Sequence, residues 1–298
     1  MRILVTGATG TLGRFVVPAL VRAGHQVRAL SRTKREDRDG VEWAWGDLAS
    51  GDGVTEAVRG IRAVAHLATG GRKGRGPRGV DLAGTRTLLE AARSEGVAHV
   101  LFTSVVGADR VPVGFLKDKL QAEQLVRDGG PDWTILRLTP FHQWLDRLLR
   151  EFSSLPVLPV DRSVPWQPVH ARDAAERLVA LVGDRPALRP VEFGGPEVLG
   201  TDELARDWLA ARGLRRVIVP MRFPGRLAAA QRAGALGTTA TPQGTTTWYD
   251  YLRPAPVPSD DFADEHTASP TSPATQPERD PNVHVYGGDE GYQRPTRG

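Results

Sequence analysis

Cysteine is absent from this chain of 298 residues, and its absence excludes several kinds of site. Disulfides, thiolate metal ligands and cysteine nucleophiles all require that residue. No apolar run approaches the ~18 residues that a membrane-spanning helix needs. No signal-like segment precedes the first predicted strand, which begins at Arg2. The sequence therefore predicts a cytoplasmic protein without a membrane partner.

Several catalytic signatures are missing as well. The chain has no Gly-x-x-x-x-Gly-Lys-Ser/Thr loop, which argues against a P-loop kinase. It has no Gly-x-Ser-x-Gly elbow, the commonest signature of a hydrolase. Histidine and acidic residues do not cluster at the spacing of metal ligands, so we expect no metal site.

Lysine is scarce, although the chain is basic. Only four of the 39 basic residues are lysines, and the isoelectric point is about 9.7. An excess of arginine with alanine, glycine and proline is typical of a coding bias rather than of a surface shaped for nucleic acid. The one dense basic run, residues 70–79, is predicted to be a loop beside an anionic cofactor. We therefore expect no nucleic-acid partner.

The first β-rich run leads directly into Gly7-x-x-Gly10-x-x-Gly13 and then into a helical pattern. This order builds a cradle for a dinucleotide pyrophosphate. Gly7 permits the turn, Gly10 lets the backbone approach the phosphates, and Gly13 lets the helix pack against the sheet. The free N–H groups and the dipole at the helix N-terminus attract the anion. The predicted cradle comprises Gly7, Thr9, Gly10, Thr11, Leu12, Gly13 and Arg14.

Short β-rich runs alternate with helical patterns along the first 140 residues. This alternation is typical of a parallel sheet with crossover helices, so the predicted fold class is α/β with a doubly wound parallel sheet. The predicted strands are residues 2–6, 26–31, 41–45, 63–67, 99–103 and 133–138. The predicted helices between them are residues 12–23, 53–59, 79–95 and 114–128.

Pattern and composition divide the chain into a folded domain and a tail. Residues 1–252 are predicted as one domain, with a core of about residues 1–140 and a small C-terminal substrate lobe, 141–252. The aromatic residues of segment 248–252 are expected to close this domain by packing on the lobe. The last 46 residues, 253–298, hold eight prolines and eight acidic residues against four arginines. This composition predicts a disordered acidic tail.

The residues after the second predicted strand favour NADP(H), with NAD(H) still possible. NAD-selective sites usually carry an acid there, whereas a 2′-phosphate needs cations and hydroxyl donors. Ser31 and Arg32 supply both, and Arg14 and Lys34 are further candidates. The alternative is a surface turn that is basic because the whole protein is rich in arginine.

Further residues are expected to line the dinucleotide. Asp47 and Leu48 follow the third predicted strand, where an aspartate commonly meets the adenine amino group. The remaining predicted contacts lie at or after the ends of the fourth and fifth predicted strands and are Leu67, Ala68, Thr69 and Thr103.

Eight segments follow one another in a fixed order through about the first 250 residues. They are Gly-Ala-Thr-Gly-Thr-Leu-Gly at 7–13, Gly-Asp-Leu at 46–48, His-Leu-Ala at 66–68, Asp-Leu-Ala-Gly-Thr-Arg-Thr-Leu-Leu at 81–89, Phe-Thr-Ser-Val-Val-Gly at 102–107, Lys-Leu-Gln-Ala-Glu-Gln-Leu at 119–125, Trp-Thr-Ile-Leu-Arg at 133–137 and Gln-Pro-Val-His-Ala-Arg-Asp at 167–173. Together they resemble the short-chain dehydrogenase/reductase superfamily, in particular its atypical, NmrA-like branch of NAD(P)-binding proteins. The resemblance implies a Rossmann core with a seven-stranded sheet and a lobe over the nicotinamide end of the cofactor.

The catalytic pattern of this superfamily is broken in the chain. Standard members use a tyrosine four residues before a lysine, and the tyrosine exchanges the proton that accompanies hydride transfer. Lys119 is in place and is expected on the nicotinamide ribose, but the tyrosine position holds Phe115. The position of the usual serine holds Val105, with Ser104 one residue earlier, and a helix position often held by asparagine holds Asp81.

The chemistry near the nicotinamide is therefore predicted from other residues. Lys119 and His142 are the catalytic candidates, because histidine is suited to proton transfer near neutral pH. His170 is a further candidate to line the pocket. The predicted substrate pocket is lined by Val105, Phe115, Phe141, His142 and Trp166.

Three functions stay open at this point. The first is an NADPH-dependent reductase of a small carbonyl or enone compound, in which positioning supplies most of the catalysis. The second is a non-catalytic NADP(H)-binding sensor with a protein partner, which the NmrA-like resemblance permits. The third is an epimerase or dehydratase that uses the cofactor as a transient hydride store. The protein is expected to be a monomer or a homodimer.

Overall fold

The computed structural model describes residues 1–69, 79–111 and 114–253. The predicted basic loop, apart from Gly79, and the predicted acidic tail, apart from Arg253, lie outside the described residues. In chain order the strands are β1 (Arg2–Thr6), β2 (Gln26–Ser31), β3 (Val41–Trp45), β4 (Ala63–His66), β5 (His99–Val105), β6 (Asp132–Leu138), β7 (Val157–Val160), β8 (Pro165–Trp166), β9 (Pro190–Phe193), β10 (Leu199–Gly200) and β11 (Val217–Pro220).

The helices follow the same chain order. They are α1 (Gly13–Arg22), α2 (Val54–Val58), α3 (Thr85–Ser94), α4 (Phe115–Asp128), α5 (His142–Ser153), α6 (Ala171–Gly183), α7 (Thr201–Ala211), α8 (Arg226–Arg232) and α9 (Trp248–Leu252). A π-helical turn, Gly79–Gly84, leads directly into α3, where the sequence pattern predicted one continuous helix. None of the helices in the described ranges is long and apolar enough to cross a membrane.

The main sheet of the described residues is parallel and has the strand order β3-β2-β1-β4-β5-β6-β9. Its first strand lies in the middle, because Ile3 pairs with Val27 of β2 on one side and with Ala63 of β4 on the other. The chain order reverses between β1 and β4, which is the topological switch point where doubly wound sheets bind their ligands. The predicted fold class and the seven-stranded Rossmann sheet are confirmed.

Both faces of the sheet are covered, so its central strands are mostly apolar. Ile3 and Val5 face a core cluster under α1 and α6, whereas Leu4 belongs to a second cluster under α2, α3 and α4. The alternation follows from the period of two along a strand. The sheet therefore holds the carboxyl ends of its strands at one edge, and the loops at that edge form the candidate site.

A third cluster holds the C-terminal lobe together. The side chains of Trp208 and Trp248 are fully buried in it, beside residues of α5, α7 and β7. Helix α9 begins at a capping box in which the Thr247 hydroxyl accepts the Asp250 N–H and the Asp250 carboxylate accepts the Thr247 N–H. The prediction that the aromatic residues of segment 248–252 pack on the lobe is confirmed for Trp248 and Tyr251, whereas Tyr249 is exposed.

Small elements of the lobe escape sequence analysis. Strands β7 and β11 pair with each other in parallel, and β8 pairs with β10, away from the main sheet. Strands β8 and β10 have two residues each, too few for a periodic pattern, and α8 has no fully buried residue. Their pairing comes from contacts between distant segments, which local periodicity does not report.

Candidate functional site

Two glycines of the loop after β1 are required by the protein itself. Gly7 has a φ angle of +69°, and a Cβ atom there would lie 2.7 Å from the Ala68 nitrogen. A Cβ atom on Gly13 would lie 2.2 Å from the Gly7 carbonyl oxygen. The loop closes where the Gly10 N–H donates to the Gly7 carbonyl at 3.0 Å. Close packing of β1, this loop and α1 therefore fixes the cradle.

Gly10 differs from the other two glycines. It is exposed, and a Cβ atom there would meet only the Gly7 carbonyl oxygen, at 3.2 Å. Within the described residues, the N–H groups of Leu12 and Gly13 at the start of α1 have no hydrogen-bond acceptor. An open backbone surface beside unpaired N–H groups fits a pyrophosphate anion.

The predicted cofactor residues in and around the cradle differ in the exposure of their side chains. Thr9 and Arg14 are exposed and Thr11 is half-buried, so their side chains are free to contact a ligand. The predicted cofactor residues Leu12, Leu48 and Leu67 are buried in the core clusters instead. A cofactor can meet these leucines only through their backbone.

The adenosine end of the predicted site lies after β2 and β3. The Ser31 hydroxyl accepts the Thr33 N–H at 3.1 Å, and the Asp47 carboxylate accepts the Ala49 N–H at 2.9 Å. The side chain of Arg32 is exposed and has no ion-pair partner among the described residues. An unpaired guanidinium is able to bind phosphate oxygens.

A buried chain of hydrogen bonds connects the cradle to the π-helical turn. The Ala68 N–H donates to the Thr6 hydroxyl at 3.2 Å, and that hydroxyl donates to His66 Nδ1 at 2.7 Å. The Thr85 hydroxyl donates to the Asp81 carbonyl at 2.8 Å, so it accepts the N–H of His66 Nε2 at 2.9 Å. These directions assign a neutral imidazole with its proton on Nε2.

Burial and the nearby Lys119 ammonium lower the pKa of His66 to about 3. A neutral His66 therefore ties the end of β1 to the end of β4 and to the turn that carries Asp81. Thr103 joins β5 to β4, since its hydroxyl donates to the His66 carbonyl at 3.3 Å. This network is structural, but it determines where the residues around Lys119 lie.

Lys119 is buried beside Asp81, and its contact with the nicotinamide ribose stays a prediction. Its Nζ is 3.2 Å from a carboxylate oxygen of Asp81 and 5.0 Å from the ring centre of Phe102. The Thr69 hydroxyl donates to the same Asp81 oxygen at 2.9 Å. Burial lowers the pKa of Lys119, while the Asp81 carboxylate opposes that shift. The Asp81 carboxylate thus holds a cation in the place expected for the nicotinamide ribose.

The structure supplies no hydroxyl at the two altered catalytic positions. Phe115 begins α4 and is 55% exposed, and Val105 ends β5 half-buried. Ser104, the neighbouring hydroxyl, is buried and donates to the Glu123 carboxylate at 2.7 Å. It therefore belongs to an ion-pair network with Arg137 between the sheet and α4.

His142 is enclosed by the protein, in contrast to the prediction that it lines a substrate pocket. It is fully buried in an aromatic cluster of His142, His170, Trp248 and Tyr251, with its ring 5.1 Å from that of Tyr251 and 5.5 Å from that of Trp248. Burial and the neighbouring His170 lower the pKa of His142 to about 3. The structure gives its predicted role as a proton donor no support, because the ring is neutral and enclosed.

A family defined by NAD(P)H binding matches residues 7–151, which run from the first cradle glycine into α5. The matched segment contains the glycine loop, Arg32, Asp47 and Lys119. Residues 7–151 are an NAD(P)H-binding domain. The Rossmann fold that the resemblance to the short-chain dehydrogenase/reductase superfamily implies is confirmed, since solved structures of an epimerase and of an NADPH-dependent quinone oxidoreductase share the fold of this chain.

One relative of the NAD(P)H-binding domain is a photosystem II assembly factor, Ycf39, of Cyanophora paradoxa. It is 35% identical over 153 residues, which cover 49% of this chain and 47% of that protein. The chain spans less than two thirds of the length of the curated relatives that it matches.

Two solved structures illustrate the shared fold. The NADPH complex of the quinone oxidoreductase QOR2 from Escherichia coli has a TM-score of 0.70 and 19% identity, covering 84% of this chain and 98% of that chain. A nucleoside-diphosphate-sugar epimerase from Staphylococcus aureus has a TM-score of 0.68 and 20% identity, covering 85% of this chain and 99% of that chain.

An open cleft lies beyond the carboxyl ends of the last sheet strands, between the NAD(P)H-binding domain and the lobe. Its volume is about 400 Å³, and it is open to solvent. Of the predicted substrate-pocket residues, Trp166 lines this cleft, whereas Val105, Phe115, Phe141 and His142 do not. Phe141 packs against the core cluster under α1 and α6 instead.

The polar side of this cleft was missed by sequence analysis. Arg110, which follows β5, lies 3.6 Å from Glu192 of β9, and its guanidinium donates to the Gly237 carbonyl at 3.3 Å. Gln167 donates to the Gly195 carbonyl at 3.0 Å and accepts the Thr238 N–H at 2.8 Å. Only the motif around Gln167 carried a signal, because the other residues meet from distant segments.

Replacing Gly10 by alanine is expected to weaken NADPH binding roughly 5- to 150-fold, since an intruding methyl group costs about 1–3 kcal/mol. The added Cβ atom would fill the open surface without meeting other protein atoms than the Gly7 carbonyl. Energy transfer from tryptophan to the nicotinamide measures the dissociation constant. Gly13→Ala is the contrasting variant, because the added Cβ atom would meet backbone atoms of the loop. We expect this variant to have a lower melting temperature as well as weaker NADPH binding. Wild-type affinity in Gly10→Ala would show that the phosphates bind elsewhere.

Proposed function

We propose that the chain is an NADPH-dependent oxidoreductase that reduces a small quinone, enone or carbonyl compound. Arg32, whose guanidinium has no ion-pair partner among the described residues, carries the proposal together with the intact glycine cradle, because a 2′-phosphate needs such a cation. The open cleft at the carboxyl edge of the sheet offers room for a substrate, with the apolar Trp166 and Val198 facing the polar Arg110 and Glu192. The likeness in fold to the quinone oxidoreductase QOR2 with NADPH supports the same reaction type.

The bound cofactor would supply a hydride, and the chain would position it. Lys119 would hold the nicotinamide ribose, with its ammonium fixed by the Asp81 carboxylate. The N–H groups at the start of α1 would bind the pyrophosphate, and Arg32 the 2′-phosphate. Positioning of this kind can lower a barrier by about 7–11 kcal/mol.

The lack of an acid at Phe115 restricts the substrate class. Reduction of a simple ketone creates a localised alkoxide that needs a proton at once, and the chain places no hydroxyl at positions 105 and 115. Reduction of a quinone or an enone leaves a delocalised anion that can take its proton from water. Phe115 is exposed, so water reaches that position. We therefore place quinones and enones ahead of simple ketones.

The test is a titration with NADPH and NADH followed by steady-state oxidation of NADPH with a small quinone, an enone and a matched simple ketone. We expect selective NADPH binding and oxidation with the quinone or the enone.

Tight NADPH binding without oxidation by any acceptor would favour the second candidate, a non-catalytic NADP(H)-binding regulator. The altered positions Val105 and Phe115 favour that candidate, and the Ycf39 relative is an assembly factor by name.

Arg32→Asp is expected to invert the cofactor preference. It removes a charge-assisted hydrogen bond of about 1.5–3 kcal/mol to the 2′-phosphate and places a carboxylate where the NADH ribose hydroxyl can donate. The ratio of the NADPH and NADH dissociation constants should change by roughly 10- to 150-fold or more. Arg35→Gln is the matched control, because the Arg35 guanidinium lies 5.1 Å from the ring centre of Trp43. An unchanged ratio in Arg32→Asp would exclude Arg32 from the 2′-phosphate site.

A further inference from the structure

The loop that carries Arg32 has little burial to fix its shape. Residues 32–40, between β2 and β3, are all exposed. An exposed loop gains its conformation from hydrogen bonds and ring contacts rather than from core packing. Strand β3 provides them, because its residues pair in register with those of β2 and Trp45 lies opposite Ser31.

Trp45 makes the contact nearest to Arg32. Its indole Nε1–H donates to the Arg32 backbone carbonyl at 3.1 Å. The tryptophan is itself held against the next turn, since a Cβ atom on Gly53 would lie 3.2 Å from Trp45 Cε3 and 2.4 Å from the Trp45 carbonyl oxygen. Gly53 has a φ angle of +69°, which suits glycine. The indole therefore connects the turn before α2 to the first residue of the loop.

Trp43 contacts two other charged residues of the same loop, Arg35 and Asp37. The Arg35 guanidinium lies 5.1 Å from the Trp43 ring centre, and the Trp43 backbone N–H donates to the Asp37 carboxylate at 2.7 Å. Arg35 and Asp37 are thus occupied by the protein. Among the described residues, the Arg32 guanidinium has no such contact, although its backbone is fixed.

We propose that Trp45 is a positioning residue that sets the preference for NADP(H) by fixing the backbone of Arg32 through its indole N–H. This inference rests on the proposed function, because it assigns Arg32 to the 2′-phosphate. Without this hydrogen bond, the Arg32 backbone would become fixed only when NADPH binds, and its loss of conformational freedom would weaken binding. The loss of one neutral hydrogen bond corresponds to about a three- to tenfold weaker 2′-phosphate contact.

The test measures the dissociation constants of NADPH and NADH by calorimetry for the full chain. Trp45→Phe keeps an aromatic ring but lacks the N–H, and we expect about three- to tenfold weaker NADPH binding with NADH unchanged within twofold. Trp45→Tyr is the second variant, should Trp45→Phe fail to fold. Trp43→Phe is the matched control, since the Trp43 side chain donates no hydrogen bond within the described residues, and we expect an unchanged ratio.

A double-mutant cycle separates positioning from a general loss of structure. In an Arg32→Gln background, Trp45→Phe should have no further effect on NADPH affinity, because both act on the same contact. An unchanged NADPH to NADH ratio in Trp45→Phe, while the wild type prefers NADPH, would overturn this inference alone. A wild-type protein without a preference for NADPH would overturn the inference together with the proposed preference.

Discussion

Glu123→Leu is expected to lower the free energy of unfolding by about 3–5 kcal/mol. The Glu123 side chain is fully buried and accepts two hydrogen bonds from Arg137, at 2.9 and 2.7 Å, one from Ser104, at 2.7 Å, and one from the partly exposed Arg127, at 3.0 Å. Its removal leaves the Arg137 guanidinium, 5% exposed, with only the partly exposed Asp109 as an anionic partner in the described ranges. Urea unfolding followed by circular dichroism measures the change.

Two further variants show whether the unpaired charge or the lost packing causes that change in stability. The double variant Glu123→Leu/Arg137→Met should recover most of the loss, since apolar residues of similar volume replace buried ion pairs at little cost. Arg150→Ala is the surface control, because Arg150 is 66% exposed and its pair with Asp146 is worth below about 1 kcal/mol. An equal loss in the single and the double variant would show that packing, and not the unpaired charge, dominates.

Acidification from pH 7 to pH 5 is expected to lower the stability by about 2 kcal/mol for each of His66 and His142. Burial holds both pKa values at about 3 in the folded protein, below the ordinary value of 6.5. The unfolded chain therefore binds more protons than the folded chain between pH 6.5 and pH 3. Stability is full above pH 6.5 and is lost as the pH falls through this window.

His142→Phe tests this pH dependence. The phenyl ring keeps the contacts with Trp248 and Tyr251, and no hydrogen bond is lost, because neither nitrogen of His142 has a partner in the described part of the chain. The loss of unfolding free energy between pH 7 and pH 5 should become smaller by about 2 kcal/mol, the contribution of His142. His25→Gln, at a partly exposed site, should leave most of the slope in place. The full wild-type slope in His142→Phe would contradict the assignment.

The sheet and the cradle were predictable because their signals are local. Strand β1 is an unbroken apolar run, and Gly7, Gly10 and Gly13 mark the turn into α1 within a few residues. The resemblance to the superfamily's tyrosine–lysine pattern, a local spacing along one helix, pointed to Lys119. The position of Arg32 was predictable because this residue directly follows β2.

The surroundings of His142 were not predictable in this way. A histidine at the start of a helix looks the same in sequence whether it faces a substrate or a core. Its burial depends on Trp248 and Tyr251, which reach it from the far end of the described chain. The cleft residues Arg110 and Glu192 likewise come together only in the fold. The π-helical turn at Asp81 escaped because an α-helical period fits the same residues.

The strand order also determines which part of the chain can fold alone. The family match ends at residue 151, yet the sheet is completed by β9, and α1 packs against α6. A fragment ending at 151 would leave one edge of β6 unpaired and the core beside Leu20 uncovered. The segment that matches the family and the segment that can fold alone therefore have different boundaries. The stability of residues 7–151 depends on β9 and α6, which lie outside the family match.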